Sequence, residues 1–349
     1  MVATEGVVTG RTAEQILRDV RGAVDRRLRV VVADRLAEPT RAVAGYHFGW
    51  CDVQGRLTRG GSGSGKAIRP ALVCLCAQAV GGVAERAVDA AVAVELAHNF
   101  TLLHDDIMDG DTVRRHRRTV WSVFGVPAAI LAGDALLVLA LDVLATSPVP
   151  GAAEMVRMLS GALLKIVAGQ EADMAFEQRD VVSLDECVAM AGNKTAALLG
   201  CACALGALFG GAPSSGVARL HEFGTRLGLA YQLVDDLLGI WGEPSVTGKP
   251  VRADLRAGKK SLPVVAALTS GTAAGRRFTE LYRRSEPLTK ADLDLAAELI
   301  EQAGGRHWAQ TEADQHLRRA LSCLRSASPE PRAAAELTTV AELITRRNH

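Results

Sequence analysis

The sequence predicts an all-α protein, and three observations carry that prediction. Hydrophobic residues fill 48% of the 349 positions while aromatics fill only 4%, so the apolar content is mainly Ala, Leu and Val, a mixture that favours helix over sheet. Alternation at period two is nowhere sustained. Where apolar residues recur, they do so at intervals of three and four, the spacing of one helix face.

Taken in order, Ile16, Leu17, Val20, Val24, Leu28, Val31 and Val32 mark a surface helix over residues 12–36, with charges opposite. Residues 53–66 are rich in Gly and Ser and read as a flexible loop. Pro70 suits the first turn of the next helix. Further helices are predicted at about 70–80, 86–109, 128–146, 151–178, 184–210, 216–241, 257–270, 289–303, 306–325 and 331–346. With no internal repeat, the expectation is one domain over 1–349, its motif-bearing core about 65–263, with residues 1–10 disordered. Helices would pack around a central apolar space.

Composition excludes several classes of function. Lys plus Arg number 40 against 39 Asp plus Glu, a net charge of +1, so no bulk field points to nucleic acid or an acidic membrane. The seven cysteines lie mostly in apolar runs and read as reduced core residues of a cytoplasmic protein, without zinc-site spacing. The N-terminus shows no hydrophobic signal region. Residues 119–141 and 195–213 are apolar enough to suggest membrane spans, with mean hydropathy of +0.14 for the whole chain. Gly125, Pro127, Gly133 and Asp134 break the first, and Gly200, Gly206, Gly210 and Gly211 the second, so both read as buried helices. Gly60 to Lys66 matches the opening of a P-loop, but Ala67 replaces the Ser or Thr that would hold Mg²⁺ and no apolar strand precedes it. A lid whose Lys66 and Arg69 reach a phosphate fits better.

The chemistry concentrates at His104 to Arg118, H-D-D-I-M-D-G-D-T-V-R-R-H-R-R. In a helix, Asp105 and Asp109 stand one turn apart on one face, with Asp106 about 100° round. Mg²⁺ is usually held by one or two carboxylates together with substrate phosphates, and the arginines that begin at Arg114 can grip phosphate through two parallel hydrogen bonds. Upstream, Glu95, His98, Leu102, Asp105 and Asp109 put a mostly polar stripe on an otherwise apolar helix, and such a stripe needs partners. Downstream, Gln232, Asp235 and Asp236 repeat the arrangement near the end of another apolar helix, followed by Lys249, Lys259 and Lys260.

At this point the chain resembles the trans-isoprenyl diphosphate synthases, or polyprenyl synthetases. Seven segments match in order: G-K-A-I-R-P at 65–70, E-L-A-H-N-F-T-L-L-H-D-D-I-M-D, R-R-H-R-R-T, A-I-L-A-G-D, G-Q at 169–170, K-T at 194–195, and the second aspartate region. The resemblance implies antiparallel helices around a deep cavity and a homodimer, with isopentenyl diphosphate and an allylic diphosphate as substrates. It implies that Asp105, Asp106, Asp109, Asp235 and Asp236 hold Mg²⁺, three ions per site with diphosphate bound. Asp105, Asp109, Lys194 and Asp235 would be central to catalysis. Arg114, Lys194, Thr195, Gln232, Lys249 and Lys259 would grip the allylic diphosphate, and Lys66, Arg69, His98 and Arg115 would bind isopentenyl diphosphate. Lys260, Asp111 and Arg117 read as solvated charges.

Three positions depart from the family pattern. Ala67 stands where Arg is usual, His116 where a small residue follows the arginine pair, and Gly239 where the second motif has its third Asp, so that water would have to substitute for the missing carboxylate. Phe100 lies five residues before Asp105, about 7.5 Å deeper along the helix axis. With Thr101 it would set the cavity floor and hence product length. In this family an aromatic there beside an uninterrupted motif points to geranylgeranyl diphosphate, with farnesyl diphosphate as the alternative. A class I terpene cyclase would not need Lys66, Arg69 and His98, and a non-catalytic subunit of a heteromeric synthase would have lost the first acidic cluster.

Overall fold

The computed structural model describes residues 11–58, 65–244, 250–284 and 286–345. The expectation for residues 1–10 and the predicted site residue Lys249 fall outside them, as do residues 59–64 of the predicted loop. The chain divides into two compact units. Unit 1 comprises Met1–Ser160, Ala202–His221 and Leu324–Val340; unit 2 comprises Gly161–Cys201, Glu222–Cys323 and Ala341–His349.

Both units are helical. The described elements run α1 (Ala13–Arg35), α2 (Thr40–His47), α3 (Ile68–Ala79), α4 (Val88–Met108), β1 (Val113–Arg114), β2 (Arg117–Arg118), α5 (Val120–Phe124), α6 (Val126–Ala145), α7 (Ala152–Glu177) and α8 (Leu184–Ala191). They continue with a π-helical turn at Gly192–Ala196, α9 (Ala197–Phe209), α10 (Ser214–Trp241), α11 (Ala253–Arg256), α12 (Leu262–Leu268), α13 (Ala273–Tyr282), α14 (Lys290–Gln302), α15 (Gly305–Ser326) and α16 (Pro331–Thr345).

Local chemistry explains the boundaries. Thr12 with Gln15, Ser183 with Glu186 and Thr289 with Asp292 form reciprocal capping boxes at the starts of α1, α8 and α14, each satisfying two otherwise orphaned backbone donors. The predicted start of a helix at 257 is displaced to Leu262, because Gly258 takes φ +67° and Ser261 begins the next helix with Pro263 in its first turn. The single helix predicted over 184–210 is interrupted by the π-turn, an insertion that side-chain periodicity does not register. The all-α expectation holds, with one short hairpin, β1–β2, that no sustained alternation announced, in which Val113 stands opposite Arg118 and Arg114 opposite Arg117.

In unit 1, glycines bring helix backbones together. A Cβ on Gly206 of α9 would lie 2.2 Å from the Val73 carbonyl oxygen of α3, and one on Gly210 would lie 2.6 Å from that of Ala77. On α6, a Cβ at Gly133 would fall 2.3 Å from Nε2 of His104 on α4. Among the described residues two helical stretches, Val126–Ala145 and Leu184–Phe209, are long and apolar enough to cross a membrane by length and composition, and 44% and 61% of their apolar windows are buried inside the protein. Unit 2 packs around two apolar clusters. One gathers Phe176, Cys187, Leu233, Val234, Leu237, Leu262 and Val265; the other gathers Ile240, Val264, Phe278, Leu281, Leu293 and Ile300. All seven cysteines are free, and all but Cys323 are buried.

Candidate active site

The first acidic cluster closes the C-terminal end of α4. Asp105 is half-buried, Asp106 is 2% exposed, and Asp109 is the exposed C-cap, its N–H donating to the Asp105 carbonyl at 2.8 Å. Asp105 and Asp109 therefore stand one turn apart, as predicted. Asp106 is turned inward and accepts from Nε of Arg114 at 2.5 Å. Burial pushes its carboxyl above the usual range, against the opposing pull of Arg114.

Arg114 and Arg115 are presented by the hairpin. Its two turn residues, Arg115 and His116, take φ +51° and +62°, conformations that suit type I′ hairpins but normally fall to Gly, Asn or Asp. The turn is held because Arg117 donates to the carbonyls of Tyr46 and Cys51, both at 3.1 Å, and stacks over the Tyr46 ring, whose hydroxyl donates to the Arg118 carbonyl at 2.9 Å. Arg117 is therefore a structural tie and not the solvated charge the sequence suggested. Lys260 is corrected likewise: it is half-buried and donates to the Phe176 carbonyl at 2.6 Å. Asp111 uses its backbone carbonyl to accept from Thr119 and Trp121, both at 2.8 Å.

The four residues assigned to isopentenyl diphosphate lie together in unit 1. Arg69 Nη1 is 3.1 Å from His98 Nε2. Burial, with Arg69, Arg115 and Arg114 around it, drives the His98 pKa well below the usual imidazole value, so the ring is neutral and accepts from Arg69. Arg115 lies against the backbone ahead of Lys66, where a Cβ on Gly65 would fall 2.5 Å from its Nη2. Lys66 is exposed, and Ala67 takes φ +53° as it leads into α3. The polar stripe on α4 finds its partners here. Asn99 donates to the Glu95 carbonyl and carboxylate, and its Oδ1 is 2.9 Å from Nε2 of His47. A small cavity of about 30 Å³, room for a water molecule, is lined by His47, Asp106, Arg114, Arg115 and Thr119 among others.

Unit 2 carries the second cluster. Lys194, on the π-turn, pairs with Asp173 at 2.5 Å. The Thr195 hydroxyl donates to Gln232 Oε1 at 2.5 Å, Gln232 Nε2 donates to Asp236 Oδ1 at 2.6 Å, and the Leu262 N–H donates to Asp236 Oδ2 at 2.9 Å. Burial pushes the Asp236 carboxyl up to about 7, against the Leu262 and Gln232 hydrogen bonds and with help from the Asp254 and Asp235 charges. Both its oxygens are engaged inside the protein, whereas Asp235 is exposed. Lys259 is half-buried, and its carbonyl accepts from the Tyr282 hydroxyl at 2.9 Å.

The gap at Gly239 is filled by protein. A Cβ there would lie 2.0 Å from Asp254 Oδ2, so a carboxylate from α11 occupies the space beside Gly239. Asp254 and Asp173 are the acidic residues that the sequence reading missed. Asp173 sits a helical turn beyond Gly169, whose close approach to the Lys194 backbone, 2.5 Å from an added Cβ to the amide nitrogen, brings the two segments together. Among the described residues, no three His, Cys, Asp or Glu side chains converge as a ready-made metal cage. An oxygen-only pair such as Asp105 and Asp109 is what Mg²⁺ uses when phosphates complete its shell.

A helical protein with acidic clusters beside cationic ones, and with apolar helices behind them, is suited to diphosphate esters of hydrocarbons. The Polyprenyl synthetase family profile matches residues 57–300, and the chain belongs to that family; it is a short-chain trans-prenyl diphosphate synthase. It is 48% identical over 319 residues to the (2E,6E)-farnesyl diphosphate synthase of Mycobacterium tuberculosis H37Rv, covering 90% of this chain and 88% of that one. It is 46% identical over 315 residues to the geranylgeranyl diphosphate synthase of the same organism, with the same coverage. The crystal structure of a polyprenyl synthetase from Streptomyces coelicolor A3(2) superposes with a TM-score of 0.89 at 46% identity, over 95% of this chain and 98% of that one. The geranylgeranyl pyrophosphate synthase of Corynebacterium glutamicum, solved with isoprenyl diphosphate and magnesium, gives 0.82 at 27% identity, over 97% and 100%.

Proposed function

We propose that this synthase condenses isopentenyl diphosphate with an allylic diphosphate in the presence of Mg²⁺ and delivers geranylgeranyl diphosphate, with farnesyl diphosphate as the alternative product. The observation that carries the choice of length is Phe100. It is buried on α4, about 7.5 Å along the helix axis from Asp105, with Thr101 beside it donating to the His98 carbonyl at 2.8 Å. A large ring at that depth limits an isoprenoid tail.

Asp105, Asp109 and Asp235 are the residues that would hold magnesium, which supplies charge neutralisation of the departing diphosphate when bound; the count of three ions rests on the family resemblance. Asp106 and Asp236 act one step back, orienting Arg114 and Gln232. Arg114, Lys194 and Lys259 stabilise negative charge as the allylic carbon–oxygen bond breaks. Arg69, Arg115 and Lys66 hold isopentenyl diphosphate, and neutral His98 fixes the Arg69 guanidinium. The double bond then attacks the allylic carbon, and a proton leaves toward the released diphosphate. No protein nucleophile is needed.

The assembled Arg69–His98–Arg115 group supports a synthase over a cyclase, and the intact first cluster supports an active subunit. A homodimer is supported by α6, where Ile130, Leu131 and Val138 are 41%, 63% and 65% exposed on a strongly apolar helix. Free, mostly buried cysteines support a reducing, cytoplasmic compartment.

The test is to supply isopentenyl diphosphate with C5, C10 or C15 primer and Mg²⁺, and to chromatograph the dephosphorylated products. The expected terminal product is C20 from every primer. Accumulation of C15 from C5 and C10 primers establishes the farnesyl alternative. Hydrocarbon from allylic diphosphate alone, or activity only after adding a second kind of chain, overturns the reading.

A further inference from the structure

The contacts of His104 extend the floor beyond Phe100. The two rings meet edge to face, with centroids 4.8 Å apart and planes at 69°. The imidazole is also seated against α6. Its Nε2 is 3.2 Å from the Ile130 carbonyl oxygen and 3.6 Å from Asp134. The seat exists only because residue 133 is Gly, since a Cβ there would stand 2.3 Å from Nε2 and 2.5 Å from Cδ2. The imidazole is thus clamped between a phenyl edge on its own helix and the backbone of the next. His104 thereby links the Phe100 ring to the backbone of α6.

We propose that His104 is a positioning residue for product length: seated in the notch at Gly133, it braces the Phe100 ring so that α6 as well as α4 sets how long a prenyl chain the enzyme makes. The proposal rests on Phe100 being the floor. A lone Phe at this position could relax by rotation when a longer tail presses on it. Braced from behind, it behaves as a fixed stop, because packed aromatic pairs favour the edge-to-face arrangement seen here.

The experiment compares the wild type with Phe100→Ala, His104→Leu and the double variant, under identical primer and isopentenyl diphosphate. It scores the ratio of products at least one C5 unit longer to the normal product, alongside Tm. Each single variant is expected to raise that ratio about fivefold or more, the factor one aromatic contact is worth. The double variant should match Phe100→Ala alone, because the brace has nothing left to hold. If Phe100→Ala lengthens product and His104→Leu does not, or if their effects multiply, the brace is wrong and the Phe100 floor stands. An unchanged ratio in Phe100→Ala removes the floor and the brace together. Gly133→Ala, which keeps both rings but evicts the imidazole from its seat, carries the same test should His104→Leu not fold, and unchanged product length in that variant refutes the proposal.

Discussion

Restoring the carboxylate that the second aspartate motif lacks should harm this enzyme. In Gly239→Asp the new Cβ would lie 2.0 Å from Asp254 Oδ2 and 2.4 Å from its Cγ, so α11 must shift. Overpacking of this kind costs about 1–3 kcal/mol. Two carboxylates about 4 Å apart repel by about 4 kcal/mol at an effective dielectric constant of 20, and partial exposure of both positions reduces that to roughly half. Replacing Gly near the end of α10 recovers a few tenths of a kcal/mol in helix propensity, which an acidic side chain at a helix C-terminus gives back. A net loss of about 3 kcal/mol corresponds to a fall in Tm of about 4 °C for a chain of 349 residues. The assay is thermal unfolding in EDTA, so that no divalent cation bridges the acids. Combining Gly239→Asp with Asp254→Gly should recover most of the loss. A Gly239→Asp protein that melts at or above the wild type in EDTA would show that Asp254 does not fill the place of the missing acid.

The remaining predictions concern buried charge. Arg114→Met leaves Asp106 buried without its cation and should cost about 3 kcal/mol in unfolding free energy, read by urea titration; a loss below about 1 kcal/mol would deny the pairing its importance. The His47 pKa is pushed down to about 3, chiefly by burial and then by Arg115. Its contribution is intact above the ordinary imidazole value of about 6.5 and is lost as pH falls toward 3, which amounts to about 2 kcal/mol at pH 5. His47→Gln should flatten the pH 7 to 5 slope of stability by that amount; an unchanged slope refutes it. Asp236 acts in the opposite sense, because its folded pKa of about 7 means the native state binds the extra proton between about pH 4 and 7. Stability from that group falls as pH rises through this window, and Asp236→Asn should remove the fall. Lys194→Ala should lower kcat/KM by about a hundredfold or more while costing about 1–2 kcal/mol of stability, since Lys194 and Asp173, 22% and 26% exposed, form a partly buried pair between the exposed and fully buried cases. Near-normal turnover would take Lys194 out of the mechanism.

The long helices were legible because their apolar faces repeat without interruption, as along α1 and α4. The acidic and basic residues could be singled out as candidates because they fall in an order that resembles the family's motifs, whereas charge at a helix end alone is as often a cap or a structural tie, as Glu186 and Arg117 are. What could not be read was contact made by backbone. The hairpin turn at Arg115 and His116 carries none of the glycine or asparagine signals of its conformation, and its geometry is imposed by Arg117 reaching to Tyr46 and Cys51, some 70 residues earlier. Short helices such as α2 and α13 offer too few turns for a period to emerge. The division of labour within each acidic pair was also hidden. Asp105 and Asp106, like Asp235 and Asp236, are identical as letters, and only the fold turns one of each pair inward. Asp254 was overlooked because its relation to Gly239 is one of shape, with a carboxylate filling a hole left by the absence of a side chain.

The seam between α3 and α9 has a consequence for how the enzyme holds its position under thermal motion. Where Gly206 meets the Val73 carbonyl and Gly210 meets that of Ala77 and the Val80 methyl, the seam is made largely by peptide groups, with few side-chain atoms between to act as a cushion. Arg69 lies a single turn before Val73 on that stiffened rod, so the base of the side chain whose guanidinium meets His98 is set by the seam. One methyl group added at residue 206 would press on the Val73 carbonyl and so shift the stretch of helix from which Arg69 springs.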